Sequence, residues 1–255
     1  MAQLQTDLVK RLQANDSQAW YELWDTFGPT IERMVHSIAR RVFTQETVAD
    51  LRQETLLRLS SEIGRFDHSR GVKFTTWLYG IARHVVLNEL TFRNAKKRNS
   101  GVKPASIEAM EGFDPESDDV PVEFEASVFR AIVFKAVEIV QGRVDLMAFE
   151  AWQMKALDDK NGKDIASELG VSEPSISRYL RKVRDELRQE IARSVAAYTW
   201  TQSEEERVYA SGLDKSEDDA FDEALMELYL QAEEERKTYH RMADTGRAMS
   251  GRMRG

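Results

Sequence analysis

Apolar residues recur at three- and four-residue intervals along most of the chain, the spacing of amphipathic helices. Leu4, Leu8, Val9 and Leu12 form one set, Trp20, Leu23, Trp24 and Phe27 a second, and Ile31, Met34, Val35 and Ile38 a third. Asn15-Asp16-Ser17 separates the first two, with Ser17 as a candidate N-cap, and Gly28-Pro29 marks a kink or a break. Thr44 is a second candidate cap and opens a helix through Val48, Leu51, Thr55, Leu59 and Ile63. A polar loop covers residues 67–71. The long helix that follows carries Phe74, Leu78, Ile81, Val85 and Phe92 on one face and ends in the basic run Arg93, Lys96, Lys97 and Arg98.

The periodicity lapses over residues 99–126, where Gly101, Pro104, Gly112, Pro115 and Pro121 lie among eight acidic residues. That composition predicts a linker. Helical spacing returns at 128–140 and 146–157. A turn at 158–162 leads to a short helix at 163–169, a tight turn at Gly170-Val171-Ser172 and a basic helix from 173 to about 193. The remainder is polar and acidic. It holds a candidate amphipathic helix at 219–242, with Phe221, Leu225, Leu228, Ala232 and Tyr239 near one face, and an end at 246–255 expected to fray. No alternating β-branched run is present, so the expected class is all-α. Two small helical domains, 1–98 and 129–193, are joined by a flexible acidic linker at 99–128 and followed by an acidic extension at 194–255.

Residues 163–184, KDIASELGVSEPSISRYLRKVR, have the pattern of a helix-turn-helix. Gly170 permits the positive φ of a sharp turn. Ser172 is a candidate cap, and Pro174 is tolerated in a first helical turn. Ile176, Leu180, Val183 and Leu187 fall on one buried face, leaving Ser175, Ser177, Arg178, Arg181 and Lys182 outward. Such a helix suits a major groove, where arginine reads guanine through two hydrogen bonds. An ordinary helical hairpin with a solvated basic face has the same pattern.

Two further faces stand out. On the helix after the polar loop, Lys73, Trp77, Gly80, His84 and Asn88 fall on one stripe, with Arg83 nearby. Cation, aromatic ring, gap and hydrogen-bonding groups together suit unpaired bases; packing of Trp77 at the core edge is the alternative. Over residues 49–63, Asp50, Gln53, Glu54 and Arg58 project away from the apolar face and Leu57 is left outside it. A polar rim around one apolar residue suits a protein partner. A solvated ladder of Asp50, Glu54 and Arg58 is the simpler reading.

The chain has 255 residues, no cysteine and a formal net charge of −8. The missing thiols exclude disulfides, a cysteine nucleophile and cysteine metal sites, and they suit a cytoplasmic location. No run approaches the ~20 apolar residues of a membrane span, since 131–140 is cut by Lys135 and Glu138. His36, His68, His84 and His240 lack metal-ligand spacing, and Gly71-Val72-Lys73-Phe74 lacks the ending of a phosphate loop. No catalytic residue, metal or cofactor is expected. The acidic total is unevenly placed. Residues 1–98 carry 15 basic and 11 acidic residues and residues 129–193 carry 12 and 11, whereas the linker has 1 and 8 and the extension 8 and 14. Both helical domains are therefore free of the acidic excess and can meet phosphate.

In order and content, these segments resemble a bacterial RNA polymerase sigma factor of the extracytoplasmic-function type. The resemblance rests on AWYELWDTFGPTIERMV, ADLRQETLLRLSSEI and FDHSRGVKFTTWLYGIARHVVLNEL for the first domain and KDIASELGVSEPSISRYLRKVRDELRQEI for the second. It implies that Asp50, Gln53, Glu54 and Leu57 meet the β′ clamp helices of core polymerase. It implies that Lys73, Trp77, Arg83, His84 and Asn88 melt the −10 element, with residues 67–71 shaping a pocket for an extruded base. Ser175, Ser177, Arg178, Arg181 and Lys182 would then read the −35 element. The implied partners are core RNA polymerase, through its β′ clamp helices and β flap, promoter DNA, and an anti-sigma factor or other regulator; no membrane is implied. The extension beyond Arg193 departs from a minimal member: a regulatory arm and a bland extra helix are both open readings. A stand-alone helix-turn-helix regulator is the runner-up for the whole chain, and a helical adaptor without nucleic acid is a third.

Overall fold

The structure is a computed structural model that describes residues 7–39, 43–67, 74–99, 122–198 and 211–252. Every regular element among them is helical. They divide into two compact units, one within residues 7–128 together with 235–252, the other within 129–234.

In the first unit, α1 (Asp7–Gln13) and α2 (Ser17–Ala39) are split by Asn15, which takes a positive φ of 59°. The cap of α2 is Asp16, not Ser17. Its carboxylate accepts from the Gln18 N–H at 2.8 Å and from Arg11 at 2.9 Å. The Arg11 bond first, then the backbone bond, hold that carboxyl below its ordinary pKa.

Gly28-Pro29 does not break the chain: α2 runs through both. A proline inside a helix leaves the carbonyl four residues back without its N–H. Here that carbonyl belongs to Asp25, and Arg236 donates to it at 3.4 Å. Gly28 is needed because a Cβ there would lie 2.8 Å from the Trp24 ring.

Thr44 caps α3 (Gln45–Glu62) as expected, accepting from Thr47 N–H. One 3-10 turn, Ile63–Arg65, ends at Phe66, and α4 (Phe74–Asn99) follows. Helices α2, α3 and α4 pack on one another through Phe27, Ile31, Leu59, Phe74, Leu78 and Leu90, each 2% exposed or less. Phe92 departs from the expected apolar face and is 66% exposed. The buried side of α4 turns toward Val86 and Leu90 near that end, which leaves Phe92 on the flank.

The second unit is built on α5 (Val122–Gln141), whose first seven residues belong to the first unit. The helix begins inside the segment read as linker. Next come α6 (Leu146–Asp158), α7 (Gly162–Leu169), α8 (Glu173–Tyr198) and α9 (Asp218–Arg252), whose residues from 235 on lie in the first unit. Asp145 caps α6 and Asn161 caps α7. The buried face of α6 is Ala148, Phe149, Ala151 and Trp152, whereas Leu146 and Leu157 of the predicted periodic set are exposed. The end expected to fray is helical through Arg252. No helix among the described residues is long and apolar enough to cross a membrane.

Candidate nucleic-acid interface

The turn between α7 and α8 is built as its sequence requires. Gly170 ends α7 at φ 67°, where a side chain would be strained, and its N–H closes on the Ala166 carbonyl. Ile165, Ala166 and Ile176 bury against Ala151 of α6, with Leu169, Val171 and Leu180 around them. This core fixes which side of α8 faces out.

Ser177, Arg178, Arg181 and Lys182 are exposed there, and Ser175 is partly buried. The first turn is tied to itself. The hydroxyls of Ser172 and Ser175 lie 2.9 Å apart, and Arg178 donates to Ser175 at 3.1 Å and to the Pro174 carbonyl at 3.3 Å. Arg181 and Lys182 make no side-chain hydrogen bond or ion pair among the described residues. The five expected residues thus share one surface, with two uncommitted cations one turn above a self-paired serine–arginine cluster.

Farther along α8 the arginines are committed. Arg184 is 7% exposed, and its guanidinium donates to both Asp222, at 2.6 and 3.0 Å, and Asp218, at 2.9 Å. Burial alone would pull its pKa down; the bonds and charge of Asp222, with Asp218 and Asp219 behind it, carry it above the ordinary value. Sequence reasoning gave Arg184 no role. The only available signal was the acidic group Asp218, Asp219 and Asp222 at one-turn spacing.

In the first unit, Asp50, Gln53, Glu54 and Leu57 occupy about a third of the circumference of α3. All four are exposed, Leu57 at 67%. The three polar ones make no side-chain hydrogen bond or ion pair among the described residues. The expected Asp50–Glu54–Arg58 ladder is replaced by a pair between Arg58 and Glu62 at 3.8 Å. Beside this face runs a groove of about 430 Å³ between α3 and α4, lined by Asp50, Glu54 and Arg58 on one side and Val85, Asn88 and Phe92 on the other. Phe92 is the residue that periodicity misplaced. An aromatic at helical spacing reads as core, and nothing local marks it as groove lining.

The stripe on α4 is only partly brought together. Gly80, His84 and Asn88 are exposed in line, with His84 Nε2 and Asn88 Nδ2 2.9 Å apart. Among the described residues a Cβ at Gly80 would meet nothing within 4 Å, so no close packing there demands the glycine. Arg83 is half-buried. Trp77 is packed: its ring lies 5.1 Å from Phe66 and 5.5 Å from Phe74. Lys73 and most of the 67–71 loop lie outside the described residues. Arg93 is held by Glu89 at 2.5 Å and Thr47 at 2.9 Å, over the Phe43 ring.

Residues 30–96 match the Sigma-70 region 2 family. The chain is also similar to the ECF RNA polymerase sigma factor BldN of Streptomyces coelicolor, at 27% identity over 170 residues. The alignment covers 67% of this chain and 59% of that relative, so the chain spans under two thirds of the protein it resembles.

Proposed function

We propose that this chain, which belongs with the sigma factors of the extracytoplasmic-function type, binds core RNA polymerase in the cytoplasm and directs initiation at specific promoters. The observation that carries this reading is the open face of α3. Within the residues matched to Sigma-70 region 2, Asp50, Gln53, Glu54 and Leu57 stand exposed and the polar ones uncommitted. Acidic groups around an exposed leucine, beside a groove that presents Phe92, suit a basic helical partner, here the β′ clamp helices. Covering a large apolar side chain contributes about 1.5–3 kcal/mol. The exposed Leu146 and Met147 of α6 offer apolar surface for a second polymerase contact, at the β flap.

On DNA, the functional division follows residues 1–98 and 129–193. Ser175, Ser177, Arg178, Arg181 and Lys182 read the −35 element in the major groove. Lys73, Trp77, Arg83, His84 and Asn88 face the −10 element. Extruding a base costs on the order of a few kcal/mol, and stacking returns ~1–3 kcal/mol per base. Trp77 is already packed on Phe66 and Phe74 and is only partly exposed, so stacking a base on it competes with those contacts. Polymerase contacts with the backbone therefore supply much of the balance, and the chain alone binds promoter DNA weakly. An anti-sigma factor or another regulator is a candidate further partner.

The test is run-off transcription by core polymerase on a fragment library, followed by scrambling each upstream element of the templates that respond. The expected result is initiation that depends on the added chain and on both elements. Tight, sequence-specific duplex binding by the chain alone, with no effect on initiation, would instead identify a stand-alone helix-turn-helix regulator.

A further inference from the structure

The extension beyond the recognition helix enters the second unit's core. Phe221 and Leu225 of α9 are fully buried, and Tyr229 stacks on Phe134 of α5 with centroids 5.1 Å apart and planes 7° from parallel. At the centre lies one carboxylate. Asp222 is 4% exposed, and its two oxygens are shared between helices. Oδ1 accepts the indole N–H of Trp152, on α6, at 3.0 Å. Oδ2 accepts Nε and Nη2 of Arg184, on α8, at 3.0 and 2.6 Å. Around it, Asp218 bonds Arg184 and Arg188, and the Arg188 guanidinium sits 4.4 Å above the Phe221 ring.

We infer that α9 is a structural member of the recognition unit and that Asp222 is a positioning residue for α8. Rotation or sliding of α8 against α6 breaks at least one of the three hydrogen bonds on this carboxylate. A group taken from water and bonded on both sides gives little net stability but strongly favours one arrangement. Arg184 lies three residues beyond Arg181 and seven beyond Ser177, so clamping it fixes the angle at which those side chains are presented. This rests on the reading that α8 contacts the −35 element.

The test compares full-length wild type, Asp222→Ala and Arg184→Lys. Lysine keeps the charge and most of the buried stem but loses the planar fork that holds the carboxylate. Three readouts are taken: thermal melting with Trp fluorescence, binding to core polymerase, and the ratio of run-off transcription from intact over −35-scrambled templates. Asp222→Ala is expected to melt at lower temperature with altered fluorescence. Arg184→Lys is expected to stay folded and bind polymerase normally, yet to lose −35 discrimination on the order of tenfold. An unchanged melt and fluorescence for Asp222→Ala would overturn the membership of α9 in the unit. A folded Arg184→Lys chain with full discrimination would overturn the positioning role. A wild-type chain indifferent to the −35 sequence would overturn the DNA reading of α8, and positioning with it, while the melting arm still decides where α9 belongs.

Discussion

A tryptophan on a helix flank can serve a nucleic acid or the core, and at position 77 the contacts favour the core. Its ring lies within 5.1–5.5 Å of Phe66 and Phe74, and Phe74 itself sits 5.7 Å from Phe66, edge-on. The three rings hold the start of α4 against the end of the 3-10 turn. Trp77 thereby packs against both Phe66 and Phe74, the residues that border the segment between them. Removing a fully buried aromatic costs about 3–5 kcal/mol, and Trp77 is only partly buried. Trp77→Ala is therefore expected to destabilise the first unit by about 2–3 kcal/mol in urea unfolding, with Trp77→Phe losing less than half of that. A loss below about 0.5 kcal/mol for the alanine variant would show that the ring is not part of the packing.

At the scale of elements, α3 and α4 divide their work by face. The inner side of α3, with Leu51, Thr55 and Leu59, is closed, and the Thr55 hydroxyl is satisfied by the Leu51 carbonyl at 2.7 Å. On the outer side, Asp50, Gln53 and Glu54 make no side-chain hydrogen bond or ion pair among the described residues. Reversing its charge, as Asp50→Lys with Glu54→Lys, is thus expected to change stability by no more than about 0.5 kcal/mol. The same change should weaken binding to core polymerase at least tenfold, read by pulldown or fluorescence anisotropy; unchanged binding would remove this face from the interface.

The helix-turn-helix was legible because every signal in it is local: a glycine at positive φ, a proline in the first turn of α8, an apolar face at three-to-four spacing. The continuity of α2 was not, because the carbonyl that Pro29 leaves open, on Asp25, is met by an arginine 211 residues beyond it. The groove between α3 and α4 was half legible. Its acidic side follows from periodicity, while Phe92 lies outside only because the buried side of α4 turns along its length. For Lys73, the stripe reading falls outside the described residues.

For the whole molecule, the net charge of −8 first reads as a poor match to DNA. The extension supplies 14 of the acidic residues, and an arm that competes with phosphate for basic surface is one use for them. Three of those carboxylates have another task. Asp218, Asp219 and Asp222 lie within 3.5 Å of the Arg184 guanidinium, which is itself 7% exposed. Breaking a buried pair by removing one partner costs about 3–5 kcal/mol, because the remaining charge is left uncompensated, against a total stability of about 5–15 kcal/mol for a typical domain. A chain ending at Tyr198 loses the partner of Arg184, the acceptor of Trp152 and the buried side chains of Phe221 and Leu225. It also loses Arg236, which supports the Asp25 carbonyl in the first unit. Such a chain is expected to unfold at markedly lower urea concentration and to expose α6 and α8 to limited proteolysis. A competing arm predicts the reverse: the shortened chain would stay folded and would bind −35 DNA more tightly, with a steeper salt dependence as released arginines reach phosphate.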